Sequence, residues 1–380
     1  MDDLRFIHTS DWQMGMSRWF LQSGAAAFDS DRLDAIRRIY DLARDNNASF
    51  IVAAGDIFDA NDMDDKTFSF VQQVLTQTPV PIYLLPGNHD YYREGSALDR
   101  IAKLNDPKLI VLSDNKPHEF APGVEIIGTP YFSRTTDSDI VRETLESLQQ
   151  TENPGVRILV THGQFSGNDF GKEGAFDQAF ARQCIDDGVV DYIAVGDTHS
   201  FKEIDKGIYF SGAPEVTDFH EVATGQGEFD SGNAALVTIS RSGAEPKFTV
   251  EKKKVGRWVF DAYRWDLDGS DSIESITKQL ESYTDGSRTV VKYGVSGHQS
   301  LEGIRAFENL MTNFRTRFVE LTERKSSAGL KLEASEEDLA SIDLGGFMND
   351  AAKELLTEGD MDALKELFYL IETVDQKAGN

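Results

Sequence analysis

The sequence predicts an α/β fold in which a mainly parallel sheet carries a polar site along the carboxyl edge of its strands. Three observations carry that prediction. Short, continuous apolar runs recur, of the kind that suits strands buried on both faces. Helical apolar spacing fills the stretches between them, as βαβ units require. The runs then break at a glycine or a turn and deliver residues of metal-ligand type, which is where open α/β sheets place their sites. The stretch from Ile51 to Asp90 is the densest case. IVAAGDIFD delivers Asp56 and Asp59, and PIYLLPGNHD delivers Asn88, His89 and Asp90. Taken singly, a Gly-Asp or Asn-His pair is ordinary turn chemistry. Side by side at one sheet edge, the Asp and Asn offer oxygen ligands to a divalent cation, and the His offers nitrogen ligation or proton transfer.

The length of 380 residues leaves room for two or more domains and a sizeable core. The balance of 38 basic and 65 acidic residues gives a net charge of -27, which favours solubility and argues against a generally basic nucleic-acid surface. Bound cations and local Arg/Lys patches leave DNA contact open. The lone cysteine, Cys184, allows no intrachain disulfide and suits a reducing compartment. The chain enters its first strand almost at once, without a signal-peptide pattern, and no apolar run reaches membrane-spanning length. A cytoplasmic protein is therefore expected.

Taken in order, residues 4–10 form the first expected strand and deliver Asp11 and Gln13. An Asp two residues from another polar side chain at a strand end can put both on one cation, or cap a turn. Residues 16–28 read as an irregular loop holding Arg18 and Trp19. Leu33, Ile36, Ile39, Tyr40 and Ala43 then predict a helix from Asp29 to about Asn47, and strand 50–54 closes a βαβ unit. Phe68, Val71, Val74 and Leu75 predict a second helix over 64–77, stopped by Pro79 and Pro81. A helix at 96–105, a strand at 108–112, a hairpin at 117–130 and a helix at 138–150 follow. Strand 156–161 delivers His162. The Gly-rich loop 163–177 reads either as the lining of a substrate channel or as a surface excursion. Helix 177–186 leads into strand 189–195, which delivers Asp197 and His199. Five strand ends thus present ligand-type residues, and chance is a poor account of all five.

Beyond 200, short β segments at 208–212, 235–239 and 248–253 predict an antiparallel second layer of a sandwich. A smaller α/β unit follows: strand 257–266, helix 271–284, strand 288–296, helix 300–314 and strand 316–323. After a polar break at 323–329, Ser335 and Asp338 resemble a capping box ahead of amphipathic helices at 347–357 and 361–376. Those helices either pack on their own domain or dock a partner protein.

The endings SDWQMG, GDIFD, GNHD, VTHG and GDTHS resemble, in order and spacing, the calcineurin-like metallophosphoesterase superfamily. That pattern is Asp-x-His, Gly-Asp-x-x-Asp, Gly-Asn-His-Asp/Glu, a later His, then Gly-His-x-His. HTSDW, YFSGAPEVTDFHE at 209–221, the α/β unit and the helical tail narrow the resemblance to SbcD-type DNA-repair nucleases. The resemblance implies a four-layer sandwich of two mixed β-sheets flanked by helices, with a small α/β cap and a helical tail. It divides the chain into a nuclease domain at 1–255, a capping and DNA-contact domain at 256–328, and a tail at 329–380 that binds an SbcC-type coiled-coil ABC ATPase. It implies 3′ to 5′ exonuclease and endonuclease action on DNA and leaves homodimerisation open.

Carried over by position, Asp11, Gln13, Asp56 and His199 hold a first metal. Asp56 bridges to a second, held also by Asn88, His162 and Asp197. Two such cations clamp a phosphate and acidify a water for in-line attack. His89 positions the phosphate or protonates the leaving oxygen. Asp59 and Asp90 brace the ligand loops, and Arg18, Arg93 and Arg134 are candidate phosphate contacts. Two positions depart from the pattern: Gln13 stands where a His is expected, and Asp197 stands at the first His of Gly-His-x-His. Both keep an oxygen ligand, which shifts the set towards Mn²⁺ or Mg²⁺ and away from Zn²⁺. Mn²⁺ is also what the resemblance implies. Two alternatives accompany the nuclease reading: a phosphodiesterase of small nucleotides, and a non-catalytic subunit with a degraded metal site.

Overall fold

Along the opening strand, Leu4–Thr9, neighbouring side chains point to opposite faces, as the two-residue period of a strand demands. Phe6 enters an apolar cluster with Ile126, Ile158 and Tyr192, which come from a second sheet. Ile7 enters another with Ile36, Ile39, Phe68 and Leu98, which come from helices. One strand therefore seals two layers at once, and fully burying each such side chain contributes about 1.5–3 kcal/mol.

The computed structural model describes residues 3–136, 138–166, 175–240, 247–334, 339 and 346–378. They fall into two units: Met1–Phe219 with Gly227–Trp258, and His220–Gln226 with Val259–Asn380. In the first unit, one sheet has the strand order Lys247–Lys254, Asn233–Ser240, Leu4–Thr9, Phe50–Ala53, Ile82–Leu84, Leu109–Val111. Its last four strands run parallel, and Asn233–Ser240 is antiparallel to both neighbours. The other sheet has the order Lys202–Asp205, Ile208–Phe210, Tyr192–Gly196, Val156–His162, Val124–Gly128, His118–Ala121, parallel at its centre and antiparallel at both edges. Helices Ala25–Asp45, Asp65–Leu75 and Ala97–Ala102 cover the outer face of the first sheet. Ile140–Leu148 and Gln178–Asp186 cover that of the second, burying Cys184. The result is a mixed α/β sandwich of four layers.

Capping residues set several helix starts. The Asp64 carboxylate accepts from the Lys66 and Thr67 amides at 3.0 Å, and Ser96, Asp139 and Asp177 cap their helices in the same way. Each such cap contributes about 1 kcal/mol.

The structure corrects several expectations. The first long helix begins at Ala25 rather than Asp29, because three alanines, the best helix formers, precede Phe28. The stretch before it is not wholly irregular, since Trp19–Gly24 forms a 3-10 turn. The β segments after residue 200 do not build a layer of their own. Ile208–Phe210 extends the second sheet, and Asn233–Ser240 with Lys247–Lys254 completes the first. Alternating apolar residues specify a strand but not its neighbour.

In the second unit, Val259–Asp266, Thr289–Gln299 and Glu320–Glu323 form a parallel core, with His220–Glu221 and Gln226–Gly227 along one edge. Past the polar stretch at 323–329, Gly329–Leu332 pairs in parallel with the end of Thr289–Gln299. Helices Ile273–Glu281, Leu301–Arg315, Gly346–Glu358 and Met361–Ala378 share its core: Ile276, Phe307, Ala352, Leu364 and Phe368 lie in one apolar cluster. Ser335 and Asp338 of the expected capping box, and residues 167–174 of the Gly-rich loop, lie outside the described residues. Among the described residues, no helix is long and apolar enough to cross a membrane.

Candidate metal centre

The site forms where strand ends from both sheets meet. Loop 11–16 follows Leu4–Thr9, loop 54–59 follows Phe50–Ala53, and loop 85–90 follows Ile82–Leu84. His162 closes Val156–His162, and Asp197 to His199 follow Tyr192–Gly196. The first two loops are zipped together by backbone bonds, from Asp11 N to Gly55 O, Gln13 N to Asp56 O and Met14 N to Ile57 O, at 2.8 to 3.0 Å.

Ligand oxygen or nitrogen atoms of Asp11, Asp56 and His162 lie within 4.8 Å of one another, all three residues being buried. His162 Nε2 stands 3.4 Å from Asp56 Oδ1 and 3.8 Å from Asp197 Oδ1. His199 Nε2 stands 3.8 Å from Asp11 Oδ1 and 3.2 Å from the Gln13 amide nitrogen. Turned over, the same amide presents its oxygen at that place. Asn88 Oδ1 and His162 Nε2 are buried without a hydrogen-bond partner among the described residues. An unmatched buried polar atom costs about 1–3 kcal/mol, and a cation between these groups would satisfy both.

Backbone strain falls on the same residues. Among the described residues, seven non-glycine residues have positive φ, and four of them are expected ligands: Asp11 at 55°, Gln13 at 43°, Asp56 at 54° and Asp197 at 100°. Such conformations cost of order 1–3 kcal/mol each and collect where geometry serves function.

The electrostatics call for positive charge. Burial pushes the Asp11 carboxyl up, against the pull of His199 and His162. Burial also acts to raise Asp56, but His162 and then His89 outweigh it and hold the carboxyl below its ordinary range. Burial alone would lower His162, yet Asp56, with Asp11 and Asp197 behind it, raises it well above its usual value. His199 is pushed up to about 9: burial opposes the charge, and the hydrogen bond to Glu228 and the Asp11 charge overcome it. The carboxylates thus draw protons onto buried imidazoles, and a divalent cation would meet the same demand by displacing them. The residues present fit such an ion.

His162 Nδ1 donates to Ala54 O at 2.9 Å, which aims Nε2 at the carboxylates. His89 Nδ1 donates to Asp59 O at 2.9 Å, so its Nε2 faces the site, 3.9 Å from Asp56 Oδ2. Asp59 therefore acts on His89 through its backbone carbonyl. Asp90 is buried and accepts from Gly87 N at 2.7 Å and Phe58 N at 3.1 Å, tying two ligand loops together. Arg134 lines a cleft of about 170 Å³ with Asn88, Tyr131, Gln164 and Asp197. Arg18 instead donates to Thr217 O, and Arg93 pairs with Asp62.

Sequence reasoning missed two kinds of residue. The first is Glu228, whose carboxylate contacts His199 Nδ1 at 2.6 Å and accepts from Thr217 N at 2.7 Å. Nothing in the spacing links position 228 to 199. The second is a set of close-approach glycines. A Cβ on Gly87 would lie 2.2 Å from Asp56 Oδ1, one on Gly55 2.3 Å from His162 Nδ1, and one on Gly196 1.9 Å from Ala54 O. Their place beside each ligand was the available signal.

The sequence profile of the calcineurin-like phosphoesterases matches residues 4–201. The chain is 25% identical over 235 residues to the DNA double-strand break repair protein Mre11 of Methanococcus maripaludis, covering 58% of this chain and 59% of that protein. It is 22% identical over 160 residues to Mre11 of Saccharolobus solfataricus, covering 41% and 40%. The chain thus spans less than two thirds of the length of these curated relatives. Among solved structures, the calcineurin-like phosphoesterase YfkN from Bacillus subtilis is 12% identical, covering 82% of this chain and 99% of that one, with a TM-score of 0.43.

Proposed function

Because this chain belongs to the calcineurin-like phosphoesterase family, we propose that it is a two-metal phosphodiesterase that cleaves DNA, by 3′ to 5′ exonuclease and endonuclease action, as the nuclease subunit of an SbcC/SbcD-type repair complex. Family membership implies a hydrolase whose site takes divalent metals. The weak likeness to two Mre11 proteins supports DNA as substrate. The observation that carries the reading is the convergence of Asp11, Asp56 and His162, with the unmatched Asn88 Oδ1 beside them.

Asp11, Gln13, Asp56 and His199 would hold one cation, and Asp56, Asn88, His162 and Asp197 the other. Their oxygen-rich donors suit Mn²⁺ or Mg²⁺. Cations held there would offset phosphate charge and make a water a better nucleophile. His89, half-exposed and oriented by Asp59 O, is placed to give a proton to the leaving oxygen. Arg134 is placed to meet the phosphate, with Arg18 and Arg93 as further contacts. Residues 256–328 would touch DNA, and the tail at 329–380 would bind the ATPase. With a net charge of -27, the isolated chain should hold duplex DNA weakly and rely on that partner for basic surface.

The test is cleavage of linear duplex DNA and of a small chromogenic diester with Mn²⁺, Mg²⁺ or chelator, beside His89→Ala. Mn²⁺-dependent DNA cleavage lost in the variant supports the proposal. The small size of the cleft at Asn88 and Arg134 favours a second reading, a phosphodiesterase of small nucleotides, and cleavage of the small diester alone would select it. Cleavage of neither, even with the ATPase added, would leave a non-catalytic subunit.

A further inference from the structure

We propose that Arg32 is a positioning residue for the first cation site, acting through the backbone of the loop that carries Asp11 and Gln13. The inference rests on the two-metal reading above.

Arg32 lies on the inner face of helix Ala25–Asp45 and is 4% exposed, rare for an arginine. Among the described residues its guanidinium hydrogen-bonds to backbone carbonyls rather than to a carboxylate. It donates to the carbonyl oxygens of Trp12 at 2.5 Å and Met16 at 3.2 Å, and to that of Gln13. Those three carbonyls belong to a stretch with no helix or strand of its own. Every buried backbone group needs a partner, and here the two sides of the loop are met differently. The N–H groups of Asp11, Gln13 and Met14 go to Gly55, Asp56 and Ile57, in the loop that carries Asp56. The carbonyls of Trp12, Gln13 and Met16 accept from Arg32, that of Gln13 being shared with Met16 N at 3.1 Å, while Met14 O accepts from Asp59 N. One side is thus zipped to the second ligand loop, and the other is clasped by a rigid fork anchored in a helix.

That clasp explains how Asp11 and Gln13 are both held with positive φ, at 55° and 43°. Without the fork the Trp12 and Met16 carbonyls lose this donor, and the loop would relax from that conformation and swing Gln13 away from His199. Lysine cannot replace the fork, because its ammonium is a point donor that cannot span three carbonyls in fixed geometry. The placement is also electrostatically unfavourable for a cation site, because a fixed positive charge beside it repels an incoming ion. Positioning and charge therefore predict opposite outcomes when Arg32 is removed.

The test is Mn²⁺ binding to the full chain without DNA, followed by electron paramagnetic resonance and calorimetry, for wild type, Arg32→Met and Arg32→Lys. Thermal melting of the metal-free proteins reports folding. The expected result is two ions per wild-type chain. The ion at Asp11 and Gln13 is the weaker one, because the Gln13 amide is a neutral ligand; in Arg32→Met it loosens at least tenfold, as loss of a residue supporting a ligand typically does, and the other ion changes far less. Arg32→Lys, which keeps the charge, recovers only part of the loss. Tighter or unchanged binding in a folded Arg32→Met overturns the inference, as does full recovery by lysine. If Arg32→Met does not fold, Arg32→Lys decides alone, and wild-type affinity there refutes the proposal. A wild-type chain that binds two ions but cuts no DNA removes the nuclease reading and leaves this inference standing. A wild-type chain that binds none removes both.

Discussion

Gly87→Ala replaces one hydrogen with a methyl group, yet it should disable both cation sites. The new Cβ would sit 2.2 Å from Asp56 Oδ1 and 2.5 Å from Asp56 N. A carbon needs about 3.3 Å from an oxygen, so the carboxylate must retreat by about 1 Å, and the backbone beside it cannot yield freely. The same Oδ1 accepts from His89 N at 3.0 Å and lies 3.4 Å from His162 Nε2. One methyl group therefore disturbs the shared ligand, the candidate acid and a ligand of the second site together. Overpacking of this kind costs about 1–3 kcal/mol in stability, and a misplacement of about 1 Å costs on the order of a hundredfold in rate. The assay is calorimetric Mn²⁺ titration with thermal melting of the metal-free protein. Gly294→Ala is the control, since among the described residues beyond its chain neighbours a Cβ there meets Arg324 Cδ alone, at an ordinary 3.7 Å. A folded Gly87→Ala that binds two Mn²⁺ with wild-type affinity would refute the assignment of Asp56 as the bridge.

Three further outcomes are expected. Glu228→Gln removes the carboxylate behind His199, so the His199 pKa in metal-free protein should fall from about 9 towards 6.5, read by histidine NMR; no fall would show that Glu228 does not set it. Asp90→Ala strips the acceptor from two buried amides, Gly87 N and Phe58 N. It should cost about 3 kcal/mol or more, seen as a lower denaturation midpoint, and an unchanged midpoint would remove its role as a brace. His8 is buried with Nε2 donating to Val195 O and Nδ1 accepting from the Tyr192 hydroxyl, and burial lowers its pKa from 6.5 to about 3. Between those values the unfolded chain holds a proton that the folded chain does not, so stability falls as pH drops below 6.5, by about 2 kcal/mol at pH 5 from this group. Denaturant melts of His8→Phe should lose that part of the slope, and a slope equal to wild type would contradict the neutral buried imidazole.

The core strands, and the strand ends that bring Asp11, Asp56 and His162 together, were legible because their signals are local. Ile51 to Asp59 and Pro81 to Asp90 each hold an apolar run, a turn glycine and a ligand within a few residues, and the structure places all three features at one edge. Helix starts were legible where a cap was present, as at Asp64 and Ser96. They were misplaced where alanines extended the helix without a cap, as before Phe28. Strand partners were not legible. Asn233–Ser240 joins Leu4–Thr9, more than two hundred residues earlier in the chain, with Leu4 opposite Ile239. An alternating pattern is satisfied by any apolar face it can cover.

By itself, then, the sequence determined an α/β chain with strand ends bearing Asp11, Asp56, Asn88, His162, Asp197 and His199, because side-chain periodicity and turn chemistry act over a few residues. Only the tertiary structure decided what surrounds those candidate ligands: Glu228 behind His199, the clasp of Arg32 on loop 12–16, Asp90 between two loops, and Gly87 against Asp56. Each is a contact between residues distant in sequence. Hydrogen bonds and close packing act through space at about 3 Å, and no spacing along the chain encodes which distant groups will meet there.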